Sequence, residues 1–564
     1  MILMPHRLGE RYSPLYFLAA LGAGGLTANF FIWLLFWVPH PGQPVPVFED
    51  LMAAWATGIL PLRTAIGIAT GGIVVFALLH LRLLWWNLIE YSRWRYTGSA
   101  QAMRAGNAET QLLALPLTIA MTINVFFILG MVCVPGLWSV VEYLFPAALM
   151  AFFLVGVWAL RLLGDFYGRV LTEGGFDCNR NNSFAQLLPS FALAMVGVGL
   201  AAPAAMSTTP WIAGLSYLLA DFFIVAAFLL GIVMLAMGMR AMMVTGASAE
   251  TAPTLWLGVP ILTVLTIALL RRGHGAHVHF GAHTLPIDNL SLITGLVSAQ
   301  LAFLFLGWVV LSRNDYFRRY VFGTEVSPGS WTLICPGVAL GVMLHFFTNA
   351  GLVPVGLVAK FGVAYWVLTG LALAIQAATM LLVLRLGWSH FGRERAAEAV
   401  TGMSVISPSS AENRAALAAA APDLPDRLLA LIARDGIRLS VGDGQPLFSP
   451  GDVCRGFLLV LKGHLRVVHA EPGERSAVLY RVGPGESCIV TTACLMAAEK
   501  YQAWGLAEGE VDALVLSADV FRRLMAESEA FRCMALGPFA TRVNKLVDVI
   551  EELMLRRIEP RQPA

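Results

Sequence analysis

Hydrophobic positions run in ten long blocks along the first two thirds of the chain, at about 15–38, 63–90, 111–134, 137–163, 184–208, 212–239, 252–270, 288–312, 330–351 and 353–387. A helix needs roughly 20 apolar residues to cross the hydrocarbon core of a bilayer, so each block predicts one membrane span. An even number of spans puts both ends of the array on one side. Helix breakers collect in the odd blocks: Gly22, Gly24 and Gly25 in the first, Pro116 in the third, Pro189 in the fifth, Pro253 and Pro260 in the seventh, Pro336 in the ninth. Broken helices are tolerated in a membrane where the freed backbone faces protein or a water-filled path. The odd blocks are therefore expected to form an inner ring and the even blocks an outer one.

Beyond residue 395 the pattern changes. Residues 396–426 are rich in Ala, Ser and Pro (SVISPSSAENRAALAAAAPDLP) and read as a linker between a membrane domain over 1–395 and a second domain over 427–564. In the second domain, short strand-like runs (GFLLVLKG, HLRVV, SAVLYRV) alternate with the turns SPGD, EPGE and GPGE, as in a small antiparallel roll. Phe539, Val543, Leu546, Ile550 and Leu553 then repeat at 4,3,4,3 spacing. That is either the seam of a short coiled coil or the face of a helix packed on its own roll. No helix-turn-helix is expected after it.

Composition supports the membrane assignment: 57% of the 564 residues are hydrophobic and 13% charged, with a formal net charge of +2. No basic block suggests a nucleic-acid partner. Arg93, Arg95, Arg104, Arg161, Arg169, Arg180, Arg240, Arg313, Arg318, Arg319, Arg393 and Arg395 all fall in the connections on the side of the N-terminus, against Arg63, Arg271 and Arg272 on the other. This bias predicts cytoplasmic termini in a multi-pass inner-membrane protein. Arg7 and Arg11 precede a first span without a cleavage site, so it is expected to be retained. The seven cysteines show no CxxC or zinc-like grouping.

The ten-span pattern, together with QLLALPLTIAMTINV (111–125), FAQLLPSFALAMVGVG (184–199) and APTLWLGVP (252–260), resembles the tellurite-resistance and dicarboxylate transporter family, which includes the slow-type anion channels. The resemblance covers about residues 14–390. It implies five helical hairpins around a central pore, a homotrimer, and small anions as substrates: sulfite or related sulfur oxyanions, C4-dicarboxylates, tellurite or chloride. Family members place a pore-plugging phenylalanine in the ninth span, where this chain has Cys335 before Pro336. The plug is then absent or supplied by Phe346 and Phe347. Cys335 is read either as a small residue at a tight helix crossing or as a pore-facing thiol, since only a lowered pKa makes a thiol reactive.

Other polar groups inside spans are His80, Asn124, Asp221, His345 and Lys360. Intramembrane ionisable residues are costly and mark function by default. His345 is expected on the same path as Cys335, Asn124 on a neighbouring helix, and Lys360 as an outer anion attractor or a snorkelling side chain. His274, His277, His279 and His283 fall in a Gly-rich stretch read as a flexible outer loop, either solvated, pH-responsive or metal-binding; no metal site is assigned there.

Residues 428–558 resemble the sensor domain of the Crp/Fnr regulators, carried by SPGD (449–452), VLKGHLRV (460–467), GPGES (483–487), LAEGEVDALVL (506–516) and FRRL (521–524). In nucleotide-binding members a Gly-Glu turn and a later Arg-Ser-Ala triplet hold ribose and cyclic phosphate. Gly485 and Glu486 match the turn, but Tyr501-Gln502-Ala503 stands at the triplet. Tight binding of a cyclic nucleotide is not expected. Cys488 and Cys494 are either buried packing residues or a redox-sensing pair. No P-loop, dinucleotide fingerprint or hydrolase triad is present, so neither an enzyme nor a cofactor is expected. The expectation is anion transport regulated by a fused sensor with an unknown ligand; the alternative is a sulfur-handling redox protein with Cys335 as its active thiol.

Overall fold

A computed structural model describes residues 8–178, 181–323, 325–391, 404–406, 410–452, 454, 456–469, 478–497 and 501–539. The chain divides into two compact units at Gly392. Arg7, Arg180, Arg393, Arg395 and the heptad residues from Val543 to Leu553 lie outside the described residues.

The first unit contains α1 (Phe17–Trp37), α2 (Phe48–Thr57), α3 (Leu60–Trp94), α4 (Gly98–Arg104), α5 (Ala114–Cys133), α6 (Val141–Glu173), α7 (Leu188–Met206), α8 (Pro210–Thr245), α9 (Gly258–Phe280), α10 (Pro286–Arg313), α11 (Ile334–Phe346) and α12 (Val363–Phe391). Ten of the described helical stretches are long and apolar enough to cross a membrane. The alternation read from the sequence is a burial alternation: the odd spans are 61–94% buried within the protein and the even spans 17–33%. Consecutive α1, α5, α7, α9 and α11 touch one another, and α11 closes back on α1. The even helices α3, α6, α8, α10 and α12 pack outside this ring as the second arms of five hairpins.

The breakers act differently from the expectation. Each inner span opens with a 3-10 turn, at Pro14–Tyr16, Asn107–Leu113, Ala185–Leu187, Ala252–Leu257 and Pro328–Leu333. Pro116, Pro189, Pro260 and Pro336 sit at the second or third residue of the α-helix that follows. Proline is accommodated in a first helical turn, where its missing N–H would lack an intrahelical partner anyway. These prolines mark helix starts near one end of each span rather than mid-membrane breaks. Gly22, Gly24 and Gly25 do not interrupt α1 either. A Cβ on Gly22 would stand 2.5 Å from Ile334 and one on Gly25 2.9 Å from Val338, so these glycines let α1 and α11 approach closely.

The stretch around His274 also departs from the reading as a loop, because α9 continues to Phe280 and carries His274, His277 and His279 on its last turns. Gly275 makes that possible: its α-carbon face lies against the carbonyl of Ala204, where a Cβ would come within 2.3 Å. His279 Nε2 meets the Ser207 carbonyl at 2.9 Å, and no cluster of metal-ligating side chains occurs among the described residues. Lys360 lies in the turn before α12 with its ammonium 5.2 Å from the Phe361 ring, not within the last span.

In the second unit, β1 (Ser404–Ile406), β2 (Ile437–Val441), β3 (Pro446–Phe448), β4 (Gly456–Val468), β5 (Val478–Val482) and β6 (Trp504–Ser517) form an antiparallel sheet in the order β1-β2-β6-β4-β5, with β3 also on β6. Alternation along β4 sends Leu458 and Val460 to one core and Phe457, Leu459 and Leu461 to the other. The second core is closed by α13 (Ser410–Ala420), α14 (Asp426–Asp435), α16 (Ala518–Glu527) and the helical residues 529–539; α15 (Ile489–Ala497) follows β5. Part of the expected linker is thus folded: the alanine-rich run favours helix, and α13 inserts Leu417 beside Phe457. Phe531 packs 5.3 Å from the Phe457 ring, so the described part of the terminal helix lies on its own roll.

Candidate functional site

The five inner helices enclose a cavity of about 180 Å³ to which every one of them contributes side chains. Its wall is mostly apolar. Four polar side chains reach it: Asn124 from α5, Thr263 and Arg271 from α9, and Cys335 from α11. On α9, Pro260, Thr263, Val264, Ile267 and Arg271 follow helical spacing, which keeps them on one face. The Arg271 guanidinium donates to the Val198 carbonyl at 3.0 Å and forms no ion pair among the described residues. Arg272, one residue on and rotated about 100°, turns away to the Asp221 carboxylate on α8 and stacks over Tyr217. Asp221 is therefore a partner to Arg272.

Of the residues expected at the pore, Cys335, Phe346, Asn124 and Pro260 line the cavity, whereas Pro336, Phe347, His345, Pro116 and Pro189 do not. His345 is rotated off the cavity into the contact with α1, its ring 6.1 Å from Trp37. Asn124 bonds its own helix at the Ala120 carbonyl, 3.2 Å away, and reaches α7 through the Met195 sulfur at 3.8 Å. His80 is a structural tie: fully buried, it meets the Ala20 carbonyl at 2.7 Å and the Thr122 hydroxyl at 2.9 Å. Arg271 escaped the sequence reading because RR was assigned to an outer connection. The i, i+4, i+7, i+11 series from Pro260 was the signal that could have found it.

In the second unit the Gly-Glu turn is formed as expected. The Glu486 carboxylate accepts the Gly483 amide at 2.8 Å, and the Gly485 amide donates to the Val460 carbonyl at 2.8 Å. Gly485 has φ of +79°, and a Cβ there would stand 2.2 Å from the Ala420 carbonyl. Gly485→Ala is expected to destabilise this unit by roughly 1–3 kcal/mol, read as a lowered Tm; an unchanged Tm would contradict this account of the turn.

Tyr501 does not take the place of a phosphate ligand. Its ring is buried in the roll, stacked 4.3 Å from Phe448, and its hydroxyl lies 3.4 Å from the Thr491 hydroxyl and 3.3 Å from the Cys454 sulfur. Gln502 points to solvent. Cys488 and Cys494 are both buried in the same core, with Cys488 3.6 Å from the Tyr480 hydroxyl. None of the cysteines forms a disulfide. The thiol beside Tyr501 is Cys454, which the sequence reading passed over, and burial raises both this thiol and the Tyr501 phenol above their ordinary pKa values. Both are neutral near pH 7.

Residues 438–528 match the family model described as the cyclic nucleotide-binding domain. Solved structures similar to the chain include the catabolite activator protein of Thermus thermophilus (20% identity, TM-score 0.21, covering 25% of this chain and 62% of that one). A cyclic nucleotide-binding domain from Methylobacillus flagellatus matches at 17% identity and TM-score 0.21, covering 29% and 90%. The sensor domain of the regulator DNR from Pseudomonas aeruginosa matches at 14% identity and TM-score 0.21, covering 27% and 98%. The matched stretch of the first is less than two thirds of its length. A search of curated proteins found no match to the chain.

Proposed function

We propose that this protein is a regulated conduit for small anions, with its path along the axis of the five inner helices. The observation that carries the reading is Arg271, a guanidinium without a carboxylate partner among the described residues, presented to a largely apolar cavity. Two unit charges 4 Å apart interact by about 4 kcal/mol at an effective dielectric of 20. An anion in the cavity gains that attraction, while a cation is repelled by as much. Cys335 fits the same role, since a thiol where a phenylalanine plug is expected leaves the axis open. The arginine bias supports cytoplasmic termini in an inner-membrane protein, and the family resemblance supports a trimer.

The test is uptake of chloride, sulfite, succinate and tellurite into proteoliposomes. Uptake of at least one anion above protein-free vesicles supports the conduit. No uptake of any of them, with stoichiometric reaction of the Cys335 thiol with tetrathionate to give an S-sulfenylthiosulfate and release thiosulfate, would instead identify a thiol-dependent sulfur protein.

The cyclic nucleotide-binding domain acts as the regulatory module, and its ligand is something other than a cyclic nucleotide. A missing guanidinium partner for a buried phosphate costs roughly 3–5 kcal/mol, about two to four orders of magnitude in affinity. Cyclic AMP is expected to bind the full-length protein with a Kd weaker than about 100 μM. A micromolar Kd by calorimetry in detergent would overturn this part of the account.

A further inference from the structure

One side chain on the wall of the central cavity comes from outside the helices. Val45 stands in the connection between α1 and α2, residues 38–47, and lines the cavity together with side chains of all five inner helices. The connection reads VPHPGQPVPV, with prolines at 39, 41, 44 and 46. A proline holds its own φ near about −65° and restricts the residue before it to extended backbone. Val38, His40, Gln43 and Val45 are each constrained in this way by the proline that follows. The result is a stiff strap.

The strap folds back on itself. In the tight turn His40-Pro41-Gly42-Gln43 the Gln43 amide donates to the His40 carbonyl at 3.3 Å, and Gly42 takes φ of +77°. A type II turn with proline in its second position requires that left-handed value in its third. Pro39, Pro41, Gly42 and Pro44 are exposed, whereas Val45, Pro46 and Val47 are buried. Both ends of the strap are tied down. The Val38 amide donates to the Leu34 carbonyl of α1 at 3.0 Å, and the Val47 amide donates to the Asp50 carboxylate in the first turn of α2 at 3.0 Å. Glu49 accepts the Gly136 amide at 2.6 Å, which fastens α2 to the connection after α5. Val45 is thereby carried inward, 4% exposed.

Position along the helices fixes the end of the cavity to which the strap belongs. Alternating spans run in the same direction, so the starts of the inner helices share one end and their finishes the other. Gly22, Pro260 and Cys335 line the cavity from near helix starts, and Leu35, Met206 and Phe346 from helix ends, with Arg271 in the second half of α9. The strap leaves α1 after Trp37, at the finishing end. Apart from the Arg271 guanidinium, the wall contributed there is apolar. An apolar constriction strips water from a passing ion and gates a channel by dewetting, so its width controls the rate steeply.

We propose that Val45 is the outer gate of the conduit: its side chain, held over the cavity by the proline strap, forms the apolar constriction that an anion passes on its way to or from Arg271. The narrow point then lies at the strap and not at the ninth-span position that Cys335 occupies. This rests on the conduit reading.

The test is the initial rate of uptake of chloride, sulfite, succinate and tellurite into proteoliposomes of full-length protein, with potassium uptake measured alongside. Val45→Ala removes two methyl groups from the constriction and is expected to raise the anion rate about threefold or more, while Val45→Phe lowers it about tenfold or more. Val47→Ala is the control, since Val47 is as deeply buried in the same strap but does not line the cavity. Its rate is expected to stay within about twofold of wild type. Lost folding cannot produce a gain in rate, so Val45→Ala decides even where Val45→Phe does not fold. An anion rate in Val45→Ala within about twofold of wild type or below it, an equal gain in Val47→Ala, or a gain that extends to potassium overturns the gate and leaves the conduit standing. Absence of anion uptake in wild type and Val45→Ala alike overturns the conduit, and the gate with it.

Discussion

Arg271→Glu is expected to reduce anion flux to the level of protein-free vesicles, and Arg271→Gln to reduce it by about tenfold or more, since each 1.4 kcal/mol of lost attraction is a factor of ten. The charge is the only guanidinium on the cavity wall among the described residues, and it is held at the Val198 carbonyl. Reversal turns an attraction of several kcal/mol into a repulsion of similar size. The control is its neighbour. Arg272→Gln removes a charge from the same helix turn, but that charge is already neutralised by Asp221 on α8, so flux is expected to stay within about twofold of wild type. Equal losses in Arg271→Gln and Arg272→Gln would show that the helix end, not the cavity charge, matters.

The second large effect is expected at Cys335. Cys335→Phe puts a benzyl group where the chain carries a thiol on the cavity wall, which Gly22 and Gly25 of α1 also line. The ring has a cavity to enter, so the overpacking cost of roughly 1–3 kcal/mol met in a filled core is expected at its low end, and the protein still folds. Flux is expected to fall to background. Cys335→Ser preserves the size of the side chain and is expected to conduct like wild type. Loss of function in Cys335→Ser with retained folding would point to thiol chemistry and against an open conduit.

Much of the architecture could be read from the chain because a bilayer imposes a simple rule on composition. Ten apolar blocks gave ten spans, and the placement of Pro and Gly separated inner from outer helices, even though the prolines act at helix starts. Periodicity could not give rotation. His345 and Cys335 are ten residues apart, about 1000° and so about 80° short of three whole turns, and within α11 that remainder puts one on the α1 contact and the other on the cavity. Arg271 was misplaced for a similar reason: a basic pair reads as a span end, but α9 runs nine residues further because Gly275 fits beneath the Ala204 carbonyl.

In the second unit the Gly-Glu turn was legible because Gly485 alone fits its backbone. The fate of Tyr501 was not, since only the three-dimensional core shows that its ring fills the space beside Phe448 and Cys454. The departure from the nucleotide-binding pattern at Tyr501-Gln502-Ala503 is thus a change of the core as well as a lost charge.

The claim that the inner ring carries anions is tested most directly by the reversal potential of the purified protein in a planar bilayer under tenfold gradients of potassium chloride and then potassium sulfite. With either salt that carries current, the account predicts a reversal potential on the side of the anion equilibrium potential, approaching about 59 mV for a monovalent anion. Reversal on the potassium side, or a silent bilayer with both salts, would contradict it.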